Sequence, residues 1–278
     1  MAKGLKSIHP LVVSLNRQAD KLTTTPTPKS IHRFRTSARR METLLAELQS
    51  EPGRNHIKLL KLLARLRKKA GRVRDLDVQI SLLRNLKMPE GARHKTQLLQ
   101  ALTEERSLHE KKVASLFDKR TLRELRKRSA RAESKLAIDE TIVVSQFQGI
   151  VRELINQSSP VTEDVLDQYR VSTKRARYLA EVAGRGLEKK AEHVARIHSA
   201  LGEWRDWMKL SRRAEKLFRA ASGSPLVAAL QNLTRAKFRN AVTALADGRA
   251  NLSGKRPAEH DASPRKATST VAATSSAA

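Results

Sequence analysis

The sequence predicts an all-α protein, and three observations lead to this prediction. Apolar residues recur at steps of three and four through most of the 278-residue chain. Alternating runs of β-branched residues bounded by turns, which are typical of strands, do not occur. Breaks rich in proline, glycine and serine separate the periodic stretches. We therefore expect two four-helix bundles followed by a disordered polar tail.

The first half is predicted to contain four helices, each delimited by residues that favour helix ends. The segment TTTPTPK follows the first helix and predicts an extended linker. Ser30 is a favourable N-cap for the second helix, and Pro52 and Gly53 end it. The segment MPEG separates the third helix from the fourth. The four predicted helices span residues 5–22, 30–48, 54–86 and 92–131.

The second half is predicted to contain four more helices. SSP ends the first of them, and Thr162 is a favourable N-cap for the next. The sequences GRG and SGSP mark the two remaining breaks. The predicted helices span 132–156, 162–184, 187–221 and 225–246. From residue 247 to residue 278 the chain is small and polar and cannot bury enough apolar area to fold, so we predict a tail.

An internal repeat relates the two halves. GRVRDL at 71–76 resembles GEWRDW at 202–207, and the two segments are 131 positions apart. HRFRTSARR at 32–40 resembles DQYRVSTKR at 167–175 at an offset of 135, with Arg35, Arg39 and Arg40 matched by cations. The chain is therefore predicted to contain two copies of one helical unit, residues 1–130 and 131–246, facing each other across a shared cleft.

The composition predicts a polyanionic partner. Lysine and arginine number 56 against 28 acidic residues, which gives a formal net charge of +28. A charge this large favours nucleic acid, a phosphate polymer or an acidic membrane surface. The chain has no cysteine, so disulfides, thiolate metal sites and cysteine nucleophiles are excluded, which suits a cytoplasmic location. We expect neither a secretory signal nor a transmembrane segment.

The cations are arranged in stripes on predicted helices. His32, Arg35 and Arg39 lie opposite the apolar face of the second helix, and no acid interrupts residues 52–74 of the third. A mixed-charge surface would contain acids over this length, so we interpret the stripes as anion-binding. Arginine predominates in the second helix, which suits bidentate contacts with phosphate oxygens. The candidate binding residues are His32, Arg35, Arg39, Arg40, Lys58, Lys61, Arg65, Lys68, Arg72, Arg170, Lys174, Arg175, Arg177 and Tyr178.

The sequence favours binding over catalysis. It contains no H-E-x-x-H motif, no carboxylate cluster suited to Mg²⁺ and no glycine-rich phosphate loop. We assign no catalytic residue, no metal ligand and no cofactor. Asp75 and Asp206 are expected to pair with cations across the bundle, and Trp204 and Trp207 are expected to pack between helices.

Four motifs in this order resemble the CHAD family, the conserved histidine α-helical domain. They are IHRFRTSARR at 31–40, GRVRDLDV at 71–78, KRARYLAE at 174–181 and GEWRD at 202–206. The resemblance implies paired four-helix bundles with pseudo-two-fold symmetry over residues 1–246. It also implies a basic cleft that binds inorganic polyphosphate, and an association with polyphosphate granules.

The sequence departs from the family pattern in both halves. Asp167 stands where a histidine is usual, and in the first half Glu42 and Thr43 stand where arginine and an aromatic residue are often seen. Residues 30–78 hold thirteen cationic and five acidic residues, whereas residues 161–206 hold nine and eight. We therefore expect heavier anion contacts on the first half.

Two other functions remain open from the sequence. Binding of nucleic acid without sequence preference would use the same phosphate contacts. Aromatic residues make up only 3% of the chain and none interleave with the stripes, so base stacking is poorly supported. A coat protein of granules or membrane surfaces could use the amphipathic helices instead. The sequence leaves the oligomeric state open.

Overall fold

The structure, a computed structural model, describes residues 7–24, 26–49, 52–88, 92–156, 161–183, 186–219 and 223–254. Within these ranges every regular element is an α-helix and no strand occurs, which confirms the predicted fold class. None of the described helices combines the length and the apolar character needed to cross a bilayer. The helices are α1 (His9–Thr24), α2 (Pro28–Leu48), α3 (Arg54–Asn85), α4 (Ala92–Leu116), α5 (Lys119–Glu133), α6 (Glu140–Asn156), α7 (Glu163–Ala183), α8 (Glu188–Leu217) and α9 (Pro225–Leu252).

Helix α2 begins two residues before the predicted start. Thr27 is its N-cap, and the Thr27 side chain accepts a hydrogen bond of 3.1 Å from the Ser30 backbone N–H. The Ser30 hydroxyl in turn accepts 2.9 Å from the Thr27 N–H, which completes a capping box. The prediction that Ser30 is the N-cap is therefore wrong by three positions. Pro28 is compatible with the first helical position because that residue needs no N–H donor.

The predicted fourth helix is two helices, because Asp118 starts a new one. The Asp118 carboxylate accepts 2.7 Å from the Thr121 N–H and caps α5. Phe117, at the break, is buried edge-on against Phe34 with ring centroids 4.9 Å apart. The helix predicted from 132 likewise begins only at Glu140, after Asp139 accepts hydrogen bonds from the N–H groups of Thr141 and Ile142.

The two halves share buried apolar surface. Helices α1–α5 pack among themselves, as do α6–α9, and α2 meets α7 while α3 meets α8. One buried cluster contains residues of both halves from Ile8 to Leu252. A second cluster joins α3 and α4 to α8 and α9, with Leu83, Leu98 and Leu210 fully buried. Burial of this kind supplies most of the stability that joins helices.

Two ion pairs link α2 and α7 in a reciprocal arrangement. Arg40 of α2 lies 2.7 Å from a carboxylate oxygen of Glu181, and Arg175 of α7 donates to both oxygens of Glu47 at 2.7 and 3.0 Å. Arg40 and Arg175 are equivalent positions of the repeat, 135 residues apart. The reciprocity is compatible with the predicted two-fold relation of the halves.

The C-terminal helix continues past the predicted end at residue 246. Helix α9 runs to Leu252, which is buried, and Arg249 donates to the carbonyl of Ile155. Gly248 lies so close to Ile197 of α8 that no Cβ would fit between them. The prediction of a tail from residue 247 is therefore wrong for 247–252. Residues 255–278, the rest of the predicted tail, lie outside the described part of the chain.

Candidate functional site

A cleft of about 280 Å³ lies where α2 and α3 of the first half face α7 and α8 of the second. Seven of the side chains that line it are cationic and two are acidic. The cations come from all four helices: Arg35 and Arg39 from α2, Arg74 from α3, Arg170 and Lys174 from α7, Arg205 and Lys209 from α8. His32, Asp75, Tyr178, His198 and Asp206 are among the other lining residues.

The helical periodicity of α2 and α7 determines which of their side chains line the cleft. In α2, Ile31, Phe34 and Ala38 are fully buried in the core, so the opposite face turns toward the second half. His32, Arg35 and Arg39 lie on this opposite face, as predicted from the sequence. Three predicted residues of α7 also line the cleft, namely Arg170, Lys174 and Tyr178.

The two G-x-x-R-D motifs supply cleft residues that the sequence analysis did not assign to binding. Arg74 and Arg205 are the arginines of these motifs, and both line the cleft. The repeat itself was the signal for them, since the same arginine recurs in both copies. Lys209 and His198 also line it, but no pattern in the sequence distinguishes them from other residues of α8.

The Arg35 guanidinium lies against α3 beside Gly71. A Cβ at position 71 would be in ordinary van der Waals contact with Arg35 Nη2, at 3.5 Å. Arg35 Nη1 is then 3.5 Å from Asp75 Oδ1. Lys209 of the other half donates 2.7 Å to Asp75 Oδ2. Asp75 therefore pairs with cations from both halves, and its predicted structural role is confirmed.

Asp167 acts as an acceptor in the second half. It accepts 2.8 Å from Arg170 Nε and lies 3.6 Å from Arg205 Nε. A histidine at this position would leave those two arginines without this carboxylate. Asp167 thus offsets part of the positive charge on one side of the cleft. Three of the seven cleft cations come from the first half and four from the second, so heavier anion contacts on the first half stay a prediction.

Lys174 lies among cations and has no carboxylate within ion-pair distance in the described part of the chain. Burial, followed by the fields of Arg39 and Arg170, lowers the pKa of Lys174 to about 7. Burial and two neighbouring arginines lower the pKa of Arg39 to about 10 in the same way. Both side chains therefore gain from an anion that enters the cleft.

The two histidines of the cleft are held neutral. Burial and the field of Lys174 lower the pKa of His198 to about 3. Burial, Arg74 and Arg35 lower the pKa of His32 below its ordinary value. A neutral imidazole can donate one hydrogen bond to a phosphate oxygen without adding to the crowding of positive charge.

The remaining predicted residues lie outside the lining of the cleft. Arg40 and Arg175 are engaged by glutamates, as described above. The Arg177 guanidinium is 5.2 Å from the centroid of the Tyr178 ring and 3.7 Å from Glu181. The basic stripe of α3, which we define as Lys58, Lys61, Arg65, Lys68 and Arg72, faces solvent. Anion binding by Arg177 and by the stripe stays a prediction, whereas the glutamates that engage Arg40 and Arg175 argue against a direct role of those two in binding.

The carboxylates near the cleft are poorly placed to hold a metal ion. Asp75 is engaged by Arg35 and Lys209, and burial raises the pKa of Asp206. Among the residues that the structure describes, no group of three or more histidine or acidic side chains could hold a metal. Cations outnumber acidic side chains seven to two in the cleft, so its lining favours an anion over a metal cation.

Comparison with known proteins extends this description. Residues 8–207 match the family model of the CHAD domain. The fold is similar to that of a crystal structure of the CHAD domain from the plant Ricinus communis, with a TM-score of 0.70. That similarity covers 92% of this chain and 96% of the plant chain at 16% sequence identity. None of the curated proteins matches this chain.

Proposed function

The chain belongs to the CHAD domain family, and we propose that it binds inorganic polyphosphate in the cleft between its two halves. One observation carries this proposal: Lys174 and Arg39 are half-buried among other cations, and neither forms an ion pair in the described chain. Burying a cation without a counter-charge is costly, so a site of this kind is relieved by a bound anion.

The cleft suits a phosphate polymer because its cations come from four helices around one space. Arginines can contact phosphate oxygens through two parallel hydrogen bonds, and the neutral histidines can donate to the same oxygens. A linear, flexible chain with one charge per phosphate can follow such a path. A single compact anion would contact only some of these residues.

The aromatic content of the cleft favours polyphosphate over single-stranded nucleic acid. Tyr178 is the one aromatic ring among the lining residues, and it is only 3% exposed. The guanidinium carbons of Arg40 and Arg177 lie 5.9 and 5.2 Å from its centroid. A base has no free aromatic face to stack on in the cleft, so recognition would depend on phosphate alone.

We propose a binding role without catalysis, and an association with cytoplasmic polyphosphate granules follows from it. Phosphoryl transfer needs metal ions to neutralise developing charge. The two carboxylates of the cleft do not fit that task, because Asp75 is engaged by two cations and burial raises the pKa of Asp206, which disfavours its charged form. Family membership supports the ligand, and the granule is where that ligand is concentrated.

The double variant Arg39→Gln/Lys174→Gln tests this function. Two charged contacts with phosphate are lost, so we expect polyphosphate affinity to fall by about a hundredfold or more. Isothermal titration calorimetry would measure it, with circular dichroism as a check on helix content. The control variant Arg152→Gln/Lys189→Gln removes two exposed cations outside the cleft and should change affinity by about twofold at most.

Competition with duplex DNA separates this proposal from general nucleic-acid binding. Polyphosphate should displace bound DNA at equal phosphate concentration, and DNA should fail to displace polyphosphate. Wild-type affinity in the Arg39→Gln/Lys174→Gln variant would contradict the assignment of the cleft. Displacement of polyphosphate by DNA would favour the nucleic-acid alternative.

A further inference from the structure

Asp206 lines the cleft from α8 and is the repeat equivalent of Asp75, which lies 131 positions earlier. The two aspartates differ in their contacts. Asp75 is engaged by Arg35 at 3.5 Å and by Lys209 at 2.7 Å. Within the described residues the carboxyl group of Asp206 forms neither an ion pair nor a hydrogen bond, so the pairing expected for it is not found there.

Charged groups of three helices surround the carboxyl group of Asp206. Arg74 and Asp75 face it from α3, Arg170 from α7 and Lys209 from its own helix, whereas α9, which also packs against α8, contributes none of these groups. Burial raises the pKa of Asp206 above its ordinary value. Asp75 adds to this rise, and the three cations oppose it without cancelling it. The charged form of Asp206 is therefore disfavoured before any ligand binds.

A polyanion in the cleft would disfavour the charged form of Asp206 further. Arg74, Arg170 and Lys209 line the same space as Asp206, so phosphate oxygens held by these cations would lie near its carboxyl group. Like charges at short range repel, so an ionised Asp206 opposes binding. The protonated carboxyl group has an O–H donor that can bond to a phosphate oxygen. Enzymes use carboxylic acids that their surroundings keep neutral as hydrogen-bond donors in this way.

We propose that Asp206 binds polyphosphate as the protonated acid and donates a hydrogen bond to a phosphate oxygen of the polymer. This inference rests on the proposed function and adds a neutral donor to the cations of the cleft. The proton comes from solvent and stays on Asp206, so no bond of the polymer breaks. Binding is then coupled to proton uptake. Affinity should fall as pH rises from the pKa of Asp206 in the free protein to its higher pKa in the complex.

Asp206→Asn and Asp206→Leu test this role, because asparagine keeps a neutral donor whereas leucine has a similar volume and no donor. Calorimetry between about pH 4.5 and about pH 7, with long-chain polyphosphate and EDTA, would measure affinity. At about pH 7 we expect Asp206→Asn to bind about threefold or more tighter than wild type, because it needs no proton. At about pH 4.5 the two should agree within about twofold. Asp206→Leu should bind about threefold or more weakly than Asp206→Asn at every pH.

Two comparisons show whether the effect belongs to this position. His32 and Lys174 are present in all of these proteins, so a difference between pH profiles reports on residue 206. Glu192→Gln is the matched control for net charge, because it removes one exposed carboxylate outside the lining of the cleft. An equal gain of affinity in Glu192→Gln and Asp206→Asn would overturn the proposal, since the effect would then follow net charge.

Other outcomes would overturn the proposal in different ways. Binding by Asp206→Asn that is equal to or weaker than wild type at about pH 7 would show that the charged form of Asp206 does not oppose the ligand. Equal affinity of the asparagine and leucine variants would remove the hydrogen bond. If the leucine variant fails to fold by circular dichroism, the pH profiles of wild type and Asp206→Asn decide. Affinity that Mg²⁺ raises in wild type but not in Asp206→Asn would assign a metal ion to this carboxylate instead.

Failure of the proposed function would look different. Wild-type protein that binds no polyphosphate at any pH would overturn the proposed function, and the role of Asp206 with it. Wild-type binding with the same pH profile in Asp206→Asn would overturn the role of Asp206 alone.

Discussion

The charged form of Lys174 is destabilised by its surroundings in the free protein. It lies on α7 with Arg39 and Arg35 facing it from α2 and Arg170 and Arg177 on its own helix. His198 on α8 is close enough to be affected by its charge but is itself neutral. A bound phosphate would supply the counter-charge that Lys174 lacks, so binding should raise the pKa of Lys174.

This linkage predicts a dependence of affinity on pH. In the free protein the pKa of Lys174 is about 7, so well below pH 7 the side chain is already charged and its contribution to affinity does not change with pH. Above pH 7 the free protein loses this proton while the complex retains it. Affinity should therefore fall as pH rises, by up to about tenfold per pH unit until the pKa of the bound state is reached.

Calorimetry from pH 6.5 to pH 9 in buffers of different ionisation enthalpy would measure this effect as proton uptake on binding. Lys174→Arg is the matched control, because arginine stays charged across the range and should flatten the dependence. The same slope in this variant would show that another group carries the proton.

The sequence predicts where some site residues lie, but not the pKa values or the ion pairs of others. His32, Arg35 and Arg39 could be placed because one apolar face fixes the orientation of the whole helix. The low pKa of Lys174 could not be predicted, because it depends first on burial between helices and then on cations that include Arg39 and Arg35 of α2. The role of Lys209 could not be predicted either, because its partner Asp75 lies in the other half of the chain, 134 positions away in the sequence.

At the level of elements, the sequence predicts where helices exist better than where they end. The break at Asp118 was missed because the apolar period continues across it. The extension of α9 was missed because the segment DGRANL contains glycine and small polar residues, which usually favour a turn. In the folded protein that glycine has a packing role, since Gly248 lies directly against Ile197.

Gly248→Ala should therefore destabilise the protein although alanine favours helices. The new methyl group would overlap Ile197, and we expect the free energy of unfolding to fall by about 1–3 kcal/mol. Urea denaturation followed by circular dichroism would measure it. In the described residues a Cβ at Gly149 meets no atom within 4 Å, so Gly149→Ala is a control that should not destabilise.

A second substitution distinguishes overlap from other causes of instability. Ile197→Ala alone leaves a cavity, but it also removes the atoms that Gly248→Ala would meet. The double variant should be more stable than the sum of the two single effects predicts. Simple additivity would mean that the α8–α9 contact does not depend on the close approach at Gly248.

At the level of the whole molecule, the repeat predicts that the halves face each other but not which charges join them. Arg40 and Arg175 were predicted to bind anions because they flank the basic faces of two equivalent helices. In the structure each is engaged by a glutamate of the opposite half, Glu181 and Glu47 respectively. Such partners are invisible in the sequence, because they lie 141 and 128 positions away.

Arg175 therefore belongs to the joint between the halves, whereas Arg39 belongs to the cleft, and two substitutions can separate these roles. Arg175→Gln breaks two hydrogen bonds to Glu47, whose side chain is only 10% exposed, so the free energy of unfolding should fall by about 1–3 kcal/mol. The effect of Arg175→Gln on polyphosphate affinity should be small.

Arg39→Gln should have the opposite effects. It should weaken binding and leave stability unchanged or slightly higher, because burial and neighbouring cations already disfavour the charge of Arg39. Urea denaturation would measure the free energy of unfolding of both variants, and calorimetry their polyphosphate affinity. If Arg175→Gln lost as much affinity as Arg39→Gln and kept its stability, Arg175 would be assigned to ligand binding instead.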